Sequence, residues 1–184
     1  MVKIKAESRK WAKKTRKLLD ITSISDLICQ NIKSADFFTK NKNIMAYYAI
    51  NSEVDVSQLF EDTNKNWFLP VCDLKNETIN PHKYCLGDVL AENELKIKEP
   101  LSTTPIISTD EIDIIIVPAL LGDINGNRIG YGAGYYDKFL SRIGSNTKTV
   151  MCLPDCLLLS TVPSDEWDRK IDYIVTEKRF LQIL

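Results

Sequence analysis

The chain has 184 residues, 44 % hydrophobic and 27 % charged, with a formal net charge of −1; this is the balance of one folded globular domain, over 1–184, rather than a disordered or fibrous chain. The near-neutral charge argues against a general nucleic-acid binder, no apolar run approaches the roughly 20 residues that cross a bilayer, and the start "MVKIKAESRKWAKK" lacks a secretory apolar stretch. The expectation is a cytoplasmic monomer that acts on small molecules, with neither nucleic acid nor membrane as a partner. Five cysteines, none in Cys-x-x-Cys spacing, read as reduced thiols, and Cys152 and Cys156 lack the companions of a metal site.

In chain order, residues 1–20 hold eight Lys or Arg against two acids, or +6, and the other 164 hold 16 against 23, or −7. Ile4, Ser8, Trp11, Thr15 and Leu18 recur at three- and four-residue steps, which predicts a helix docked through that stripe. Lys5, Arg9, Lys13 and Lys17 form a neighbouring basic stripe at i+4 steps. Such a stripe suits a small polyanion beside the core, a solvated face, or a basic arm for nucleic acid; for Lys10, Lys13 and Lys14 the solvated face is preferred. Ser23 is read as the cap of a second helix that buries Ile24, Leu27, Ile28 and Ile32.

"NIMAYYAI" (43–50) reads as a central strand, and "NSEVDVSQLFED" as a polar turn leading into a short helix. "NWFLPV" (66–71) is a strand ended or edged by Pro70. Residues 73–111 give no clear strand pattern, and His82 in "NPHKY" reads as a surface turn residue without a catalytic role. "DIIIVP" (113–118) is the strongest strand. "TKTVMCL" (147–153) and "IDYIVT" (171–176) follow as strands, and "EKRFLQIL" closes the chain as a helix. The alternation predicts an α/β protein, three layers α/β/α, with a largely parallel sheet and helices on both faces. Ligands in such folds collect at the carboxyl ends of the strands.

Between the strand at 113–118 and the next one stands "RIGYGAGYYDKFL" (128–140), with glycines at alternate positions ahead of helical spacing. Gly130, Gly132 and Gly134 let backbone N–H groups turn toward one point, and the first turn of the helix adds unpaired donors, so with Arg128 the segment reads as a phosphate cradle. It is neither a Walker A loop nor the G-x-G-x-x-G dinucleotide pattern, and alone the three glycines also suit a tight turn packed under a helix. Asp137 would stand beside phosphates it repels unless a cation such as Mg²⁺ lies between, which favours a metal–nucleotide site.

"GDINGNRIGYGAGYYDKFL" resembles the signature of the 5-formyltetrahydrofolate cyclo-ligase family, Asp-x-x-Gly-x-Arg-[Leu/Ile]-Gly-x-Gly-x-Gly-Tyr-Tyr-Asp. The basic first helix, "YYAINSEVDV", "IKEP" (97–100), "IDIIIVPAL" and "VPSDEWDRKIDYIVTE" resemble further family segments in the same order. The resemblance implies an ATP-dependent enzyme that phosphorylates the formyl oxygen of 5-formyltetrahydrofolate, so that N10 closes the ring and 5,10-methenyltetrahydrofolate forms with ADP and phosphate. By the same resemblance Arg128, Tyr136 and Asp137 are catalytic, and Lys5, Arg9, Arg128, Ile129, Gly130, Tyr131, Gly132, Ala133, Gly134, Tyr135 and Tyr136 bind ATP. Tyr48 and Glu53 contact the folate, and Asp137 and Asp168 hold Mg²⁺.

Competing readings exist for several of these. Glu53 also suits the cap of a helix beginning near Val54, Tyr135 shares a face with Phe139 and suits the core, and only the resemblance selects Asp168 among its acidic neighbours. Ala119 and Gly122 in "PALLGD", and Pro154 and Leu157 in "CLPDCLLLSTVP", depart from the family pattern at positions expected near the folate pocket. Those departures keep a second function open, a non-catalytic nucleotide- or folate-binding paralogue.

Overall fold

The computed structural model describes residues 2–94, 96–165 and 168–183; Glu166 and Trp167 of the "VPSDEWDRKIDYIVTE" resemblance lie outside them. The chain begins with α1 (Val2–Arg16), α2 (Ile21–Ser34) and α3 (Asp36–Thr39), then β1 (Asn43–Met45), β2 (Asn66–Asp73), β3 (Thr78–Tyr84), β4 (Leu90–Glu92) and β5 (Lys98–Pro100). It continues with β6 (Ile114–Pro118), β7 (Leu121–Asp123), β8 (Arg128–Ile129), α4 (Tyr135–Leu140), β9 (Lys148–Cys152), β10 (Leu158–Leu159), β11 (Tyr173–Val175) and β12 (Phe180–Gln182). Seven strands form one sheet in the order β12-β11-β9-β6-β1-β2-β3. The five inner strands are parallel, and β12 and β3 close the two edges antiparallel.

Both faces of this sheet are buried, which is why "IIIV" of β6 is apolar throughout. Period-2 alternation divides it: Ile115 and Val117 join Met45, Met151, Ile174 and the inner sides of α1 and α4 on one face. Ile114 and Ile116 join Ile44, Val150, Val175 and the buried side of α2 on the other. The result is the expected α/β/α layering with a largely parallel sheet.

Several local expectations are corrected. α1 does not dock through its apolar stripe: Ile4 and Leu18 are exposed and Trp11 is 45 % exposed, whereas Ala12 and Arg16 are buried. The inward line is Lys5, Arg9, Ala12 and Arg16, because the cations find carboxylate and carbonyl acceptors in the protein. α2 is capped by Asp20, whose carboxylate accepts from the Ser23 N–H, and its buried residues include Ser25 and Cys29 in place of Leu27. The strand at 43–50 ends at Met45, and β2 passes through Pro70, which lies opposite Pro81 of the edge strand β3. His82 is buried in β3, with Nδ1 3.0 Å from Thr104 Oγ1. The terminal segment is strand β12 rather than a helix, and Phe180 stacks on Phe37 and Tyr173. Among the described residues no helix is long and apolar enough to cross a membrane.

Candidate active site

β1 is the point where the sheet divides, with β2 on one side and β6 on the other, and a crevice opens beyond the carboxyl ends of such strands. The segments leaving β1 and β6 wall a cavity of about 340 Å³ there. After β6 the chain turns into the β7–β8 hairpin, whose bend is tied by the fully buried Asp123 carboxylate. It accepts from the N–H groups of Asn125 (2.9 Å), Asn127 (3.0 Å) and Val162 (2.9 Å) and from the Asn127 amide (2.8 Å). This hairpin sets Arg128, whose Nη1 donates to the Pro118 carbonyl at 3.0 Å and whose Nη2 pairs with Asp137.

The loop 130–134 follows and ends at Gly134, which precedes α4 with φ 77° and provides no side-chain cap. Gly132 has φ +107°, and a Cβ there would stand 3.2 Å from Cζ of Arg9. Arg9 in turn donates from Nε to the Gly130 carbonyl at 3.0 Å. The loop is therefore tied to α1 through Arg9, and Arg9 and the loop residues line the same cavity.

Of the residues named from sequence, Arg9, Arg128, Gly130, Tyr131, Gly132, Ala133, Gly134, Tyr135, Tyr136, Asp137, Tyr48 and Glu53 all line the one cavity. Ile129 is buried in the core against α1 and α4 instead. Lys5 and Asp168 do not line the cavity; Lys5 Nζ is held 2.7 Å from Asp165 and 2.8 Å from Asp168. Among the described residues no group of three or more His, Cys, Asp or Glu stands ready to hold a metal. Ala119, Gly122, Pro154 and Leu157 are all buried and none lines the cavity, so the departures from the family pattern fall in the core and not at a substrate wall.

The cavity is lined by five tyrosines and one buried acid among otherwise mixed residues. Glu53 is 6 % exposed; its Oε2 accepts from the Ile50 N–H at 2.8 Å, and the Tyr131 hydroxyl is a second partner. It does not cap a helix, since the next helical turn starts at Ser57 and Asp55 accepts from that N–H. Burial pushes the Glu53 carboxyl up to about 7, against the pull of those two hydrogen bonds and of Arg16. Burial likewise raises the phenols of Tyr48, Tyr131 and Tyr136, so all three are neutral donors at physiological pH. Tyr48 shares a 2.6 Å hydrogen bond with Tyr84, whereas the buried Tyr136 hydroxyl has no protein partner. Tyr136 lines the cavity, and a buried hydroxyl without a partner is a costly group that a hydrogen bond would satisfy.

Sequence reasoning missed Tyr47, Cys72 and Lys98 at the cavity and Arg16 behind it. Tyr47 was legible beside Tyr48. Cys72 lies one residue beyond the strand read at 66–71, and Lys98 comes from β5 within the ambiguous stretch 73–111.

An open, largely parallel sheet with a glycine loop, an arginine beside that loop and several tyrosines around one cavity defines an α/β protein with a single crevice at the carboxyl ends of its strands. Residues 2–177 match the model of the 5-formyltetrahydrofolate cyclo-ligase family, and the chain belongs to that family. It is 28 % identical over 182 residues to the probable 5-formyltetrahydrofolate cyclo-ligase of Schizosaccharomyces pombe, covering 90 % of this chain and 88 % of that protein. It is 27 % identical over 151 residues to the Escherichia coli K12 5-formyltetrahydrofolate cyclo-ligase, covering 74 % and 78 %. The solution structure of Aquifex aeolicus 5,10-methenyltetrahydrofolate synthetase superposes with a TM-score of 0.86 at 29 % identity over 98 % of this chain and 93 % of that one. The Mycoplasma pneumoniae synthetase shares the fold, with a TM-score of 0.73 at 17 % identity over 94 % and 98 %.

Proposed function

We propose that this protein catalyses the ATP-dependent cyclisation of 5-formyltetrahydrofolate to 5,10-methenyltetrahydrofolate. The observation that carries this reading is that one cavity is walled both by the anion-cradling loop 130–134 with Arg128 and by Tyr48 and Glu53. A phosphoryl donor and a pterin are thereby brought edge to edge. The formyl group is an amide, so its carbon is a weak electrophile and its oxygen a poor leaving group. Transfer of the γ-phosphoryl to that oxygen remedies both; N10 then attacks the carbon, loses its proton, and phosphate departs.

For such a reaction the protein contributes alignment and charge neutralisation. Loop amides, Arg128 and Arg9 receive the phosphates. The Glu53 carboxylate accepts from the donor-rich edge of the pterin, Tyr48 packs on its face, and the unpartnered Tyr136 hydroxyl donates to the reacting oxygen. Asp137 and Asp168 would hold Mg²⁺, the charge-neutralising partner of the triphosphate. Asp137 lines the cavity and would be the first carboxylate, whereas Asp168 would join it on release from Lys5; one carboxylate suffices for an ion that takes most of its ligands from phosphate and water. Lys5 would exchange Asp168 for a phosphate.

We read it as a cytoplasmic monomer of one domain. Incubation of the purified protein with 5-formyltetrahydrofolate tests the reading through the near-UV absorbance of the methenyl product. Product is expected only with ATP and Mg²⁺ both present, and no absorbance change at high protein concentration would overturn it.

A further inference from the structure

We infer that Arg16 is a positioning residue for the folate half of the cavity: its guanidinium clamps the turn that carries Glu53 and stands as a fixed positive charge behind that carboxylate. The inference rests on the proposed role of Glu53 as the pterin acceptor.

Arg16 lies seven residues beyond Arg9 on α1, on the same inward line, so one rigid helix serves both halves of the site. Its side chain is 1 % exposed. Nη1 donates to the Ser52 carbonyl at 2.9 Å, and Nη2 donates to the carbonyls of Ala119 and, at 3.3 Å, Leu120. Ser52 adjoins Glu53, and Ala119 follows the cavity residue Pro118. The turn itself is closed by Glu53 N–H donating to the Ile50 carbonyl at 3.1 Å, with Asn51 at φ 54°. The clamp thus holds this turn, with its left-handed Asn51, through the Ser52 carbonyl.

Packing alone does not account for an arginine here. An apolar side chain of similar volume fills a buried site at less cost than a cation whose acceptors are all neutral carbonyls. What the arginine adds is charge, and the carboxylate within its field is Glu53.

The other groups facing the pair are Tyr47 from the segment after β1, Tyr131 of the glycine loop, Tyr136 of α4, and Cys156 beyond β9. All four are pushed up by burial and stay neutral in the physiological range. Arginine keeps its proton throughout. Within this cluster Glu53 is therefore the group whose charge changes near neutrality, and removing the cation behind it makes that carboxylate harder to form.

Calorimetric titration of 5-formyltetrahydrofolate from about pH 6 to about pH 9 tests this, since one unit of displacement in Glu53 is a tenfold change in the ionised fraction below both titrations. In Arg16→Met, which loses both the fork and the charge, the dissociation constant is expected to rise at every pH by at least as much as in Arg16→Lys, and by a further factor of up to about ten at the acid end. Arg16→Lys keeps the charge and loses the fork, so its affinity falls equally at every pH. ATP affinity stays at the wild-type level in both.

A deficit in Arg16→Met that is the same at every pH overturns the inference and leaves the proposed function standing. Should Arg16→Met fail to fold, a displaced midpoint in Arg16→Lys, or a pH dependence that survives in Glu53→Gln, overturns it equally. Absence of any folate binding by the wild type sinks the proposed function and this inference together.

Discussion

The ammonium of Lys5 lies 2.8 Å from a carboxylate oxygen of Asp168, and both side chains are largely buried. The two groups that family resemblance assigns to the nucleotide and to its metal are thus bound to each other. Arg128 and Asp137 repeat the arrangement across the glycine loop. Each cation here is already met by a carboxylate, and on the proposed reading Mg·ATP would offer both kinds of group an opposite partner.

Lys5→Met removes a partner from each of two acids, since the same ammonium also lies 2.7 Å from Asp165. Weakening of ATP binding by about tenfold is expected, the worth of one charge-assisted hydrogen bond. The variant is also expected to melt lower at neutral pH. Asp168 is held below its ordinary 3.8: burial would raise it, but the Asp165 N–H and Lys5 prevail. Its stabilisation is present above that value and is lost as pH falls through the lower folded one. The difference in melting temperature between Lys5→Met and wild type should therefore close at strongly acid pH, and a difference that persists there counts against the pairing.

Gly132 tests the loop from its backbone. At φ +107° an alanine is strained whatever space it has, and its Cβ would also crowd Arg9 at 3.2 Å. Gly132→Ala is expected to lose about 1–3 kcal/mol of stability and to weaken ATP at least tenfold, while folate affinity changes little. Parallel titrations with the two ligands separate this from general damage, which would lower both.

Glu53→Gln reads the buried acid directly. Its carboxyl is raised from 4.5 to about 7, with burial the main cause, so the native state holds this proton more tightly than the unfolded chain. The stabilisation from that proton is complete below the unfolded value, declines as pH rises through the interval, and is gone above the folded one. The neutral amide escapes the loss. Relative to wild type, Glu53→Gln should gain stability between about pH 5 and about pH 8, by at most about 3 kcal/mol, while its folate affinity falls. Denaturant unfolding at the two pH values measures the first and calorimetry the second.

What was legible in the sequence was the chemistry confined to a short stretch. Arg128, the three alternate glycines and Asp137 span ten residues, and their order alone dictates a turn, a donor and an acid at one helix entrance. The alternation within β6 likewise reports two covered faces without outside information. α1 was misread because apolar spacing is a poor guide when the inward side chains are cations: Arg16 is buried by carbonyls of residues 52, 119 and 120, which no local window contains. The segment 177–184 has helical composition, but Phe180–Gln182 pairs with β11 as an edge strand, a tertiary demand that overrides propensity. Lys98 reaches the cavity only because the β4–β5 hairpin folds against β2, where Glu99 accepts from the Cys72 N–H at 3.0 Å.

Asp137→Asn separates chemistry from architecture most cleanly. The carboxylate is 55 % exposed while the Arg128 side chain it meets is 6 % exposed, so Arg128 is held by its own burial and by the Pro118 carbonyl and does not depend on the aspartate for its place. An ion pair with one partner in solvent contributes at most about 1 kcal/mol, and the melting temperature should change by only a few degrees. On the proposed reading the carboxylate would stand beside a triphosphate, where Arg128 offsets part of the repulsion and a divalent ion would relieve the rest. Asparagine keeps the shape, loses the charge, and should lower kcat at least about a hundredfold, the scale of a lost electrostatic contact in the transition state. ATP binding without metal should strengthen slightly, and the gain in ATP affinity on adding Mg²⁺ should largely disappear. A variant that retains wild-type turnover and full metal dependence would remove Asp137 from the catalytic set.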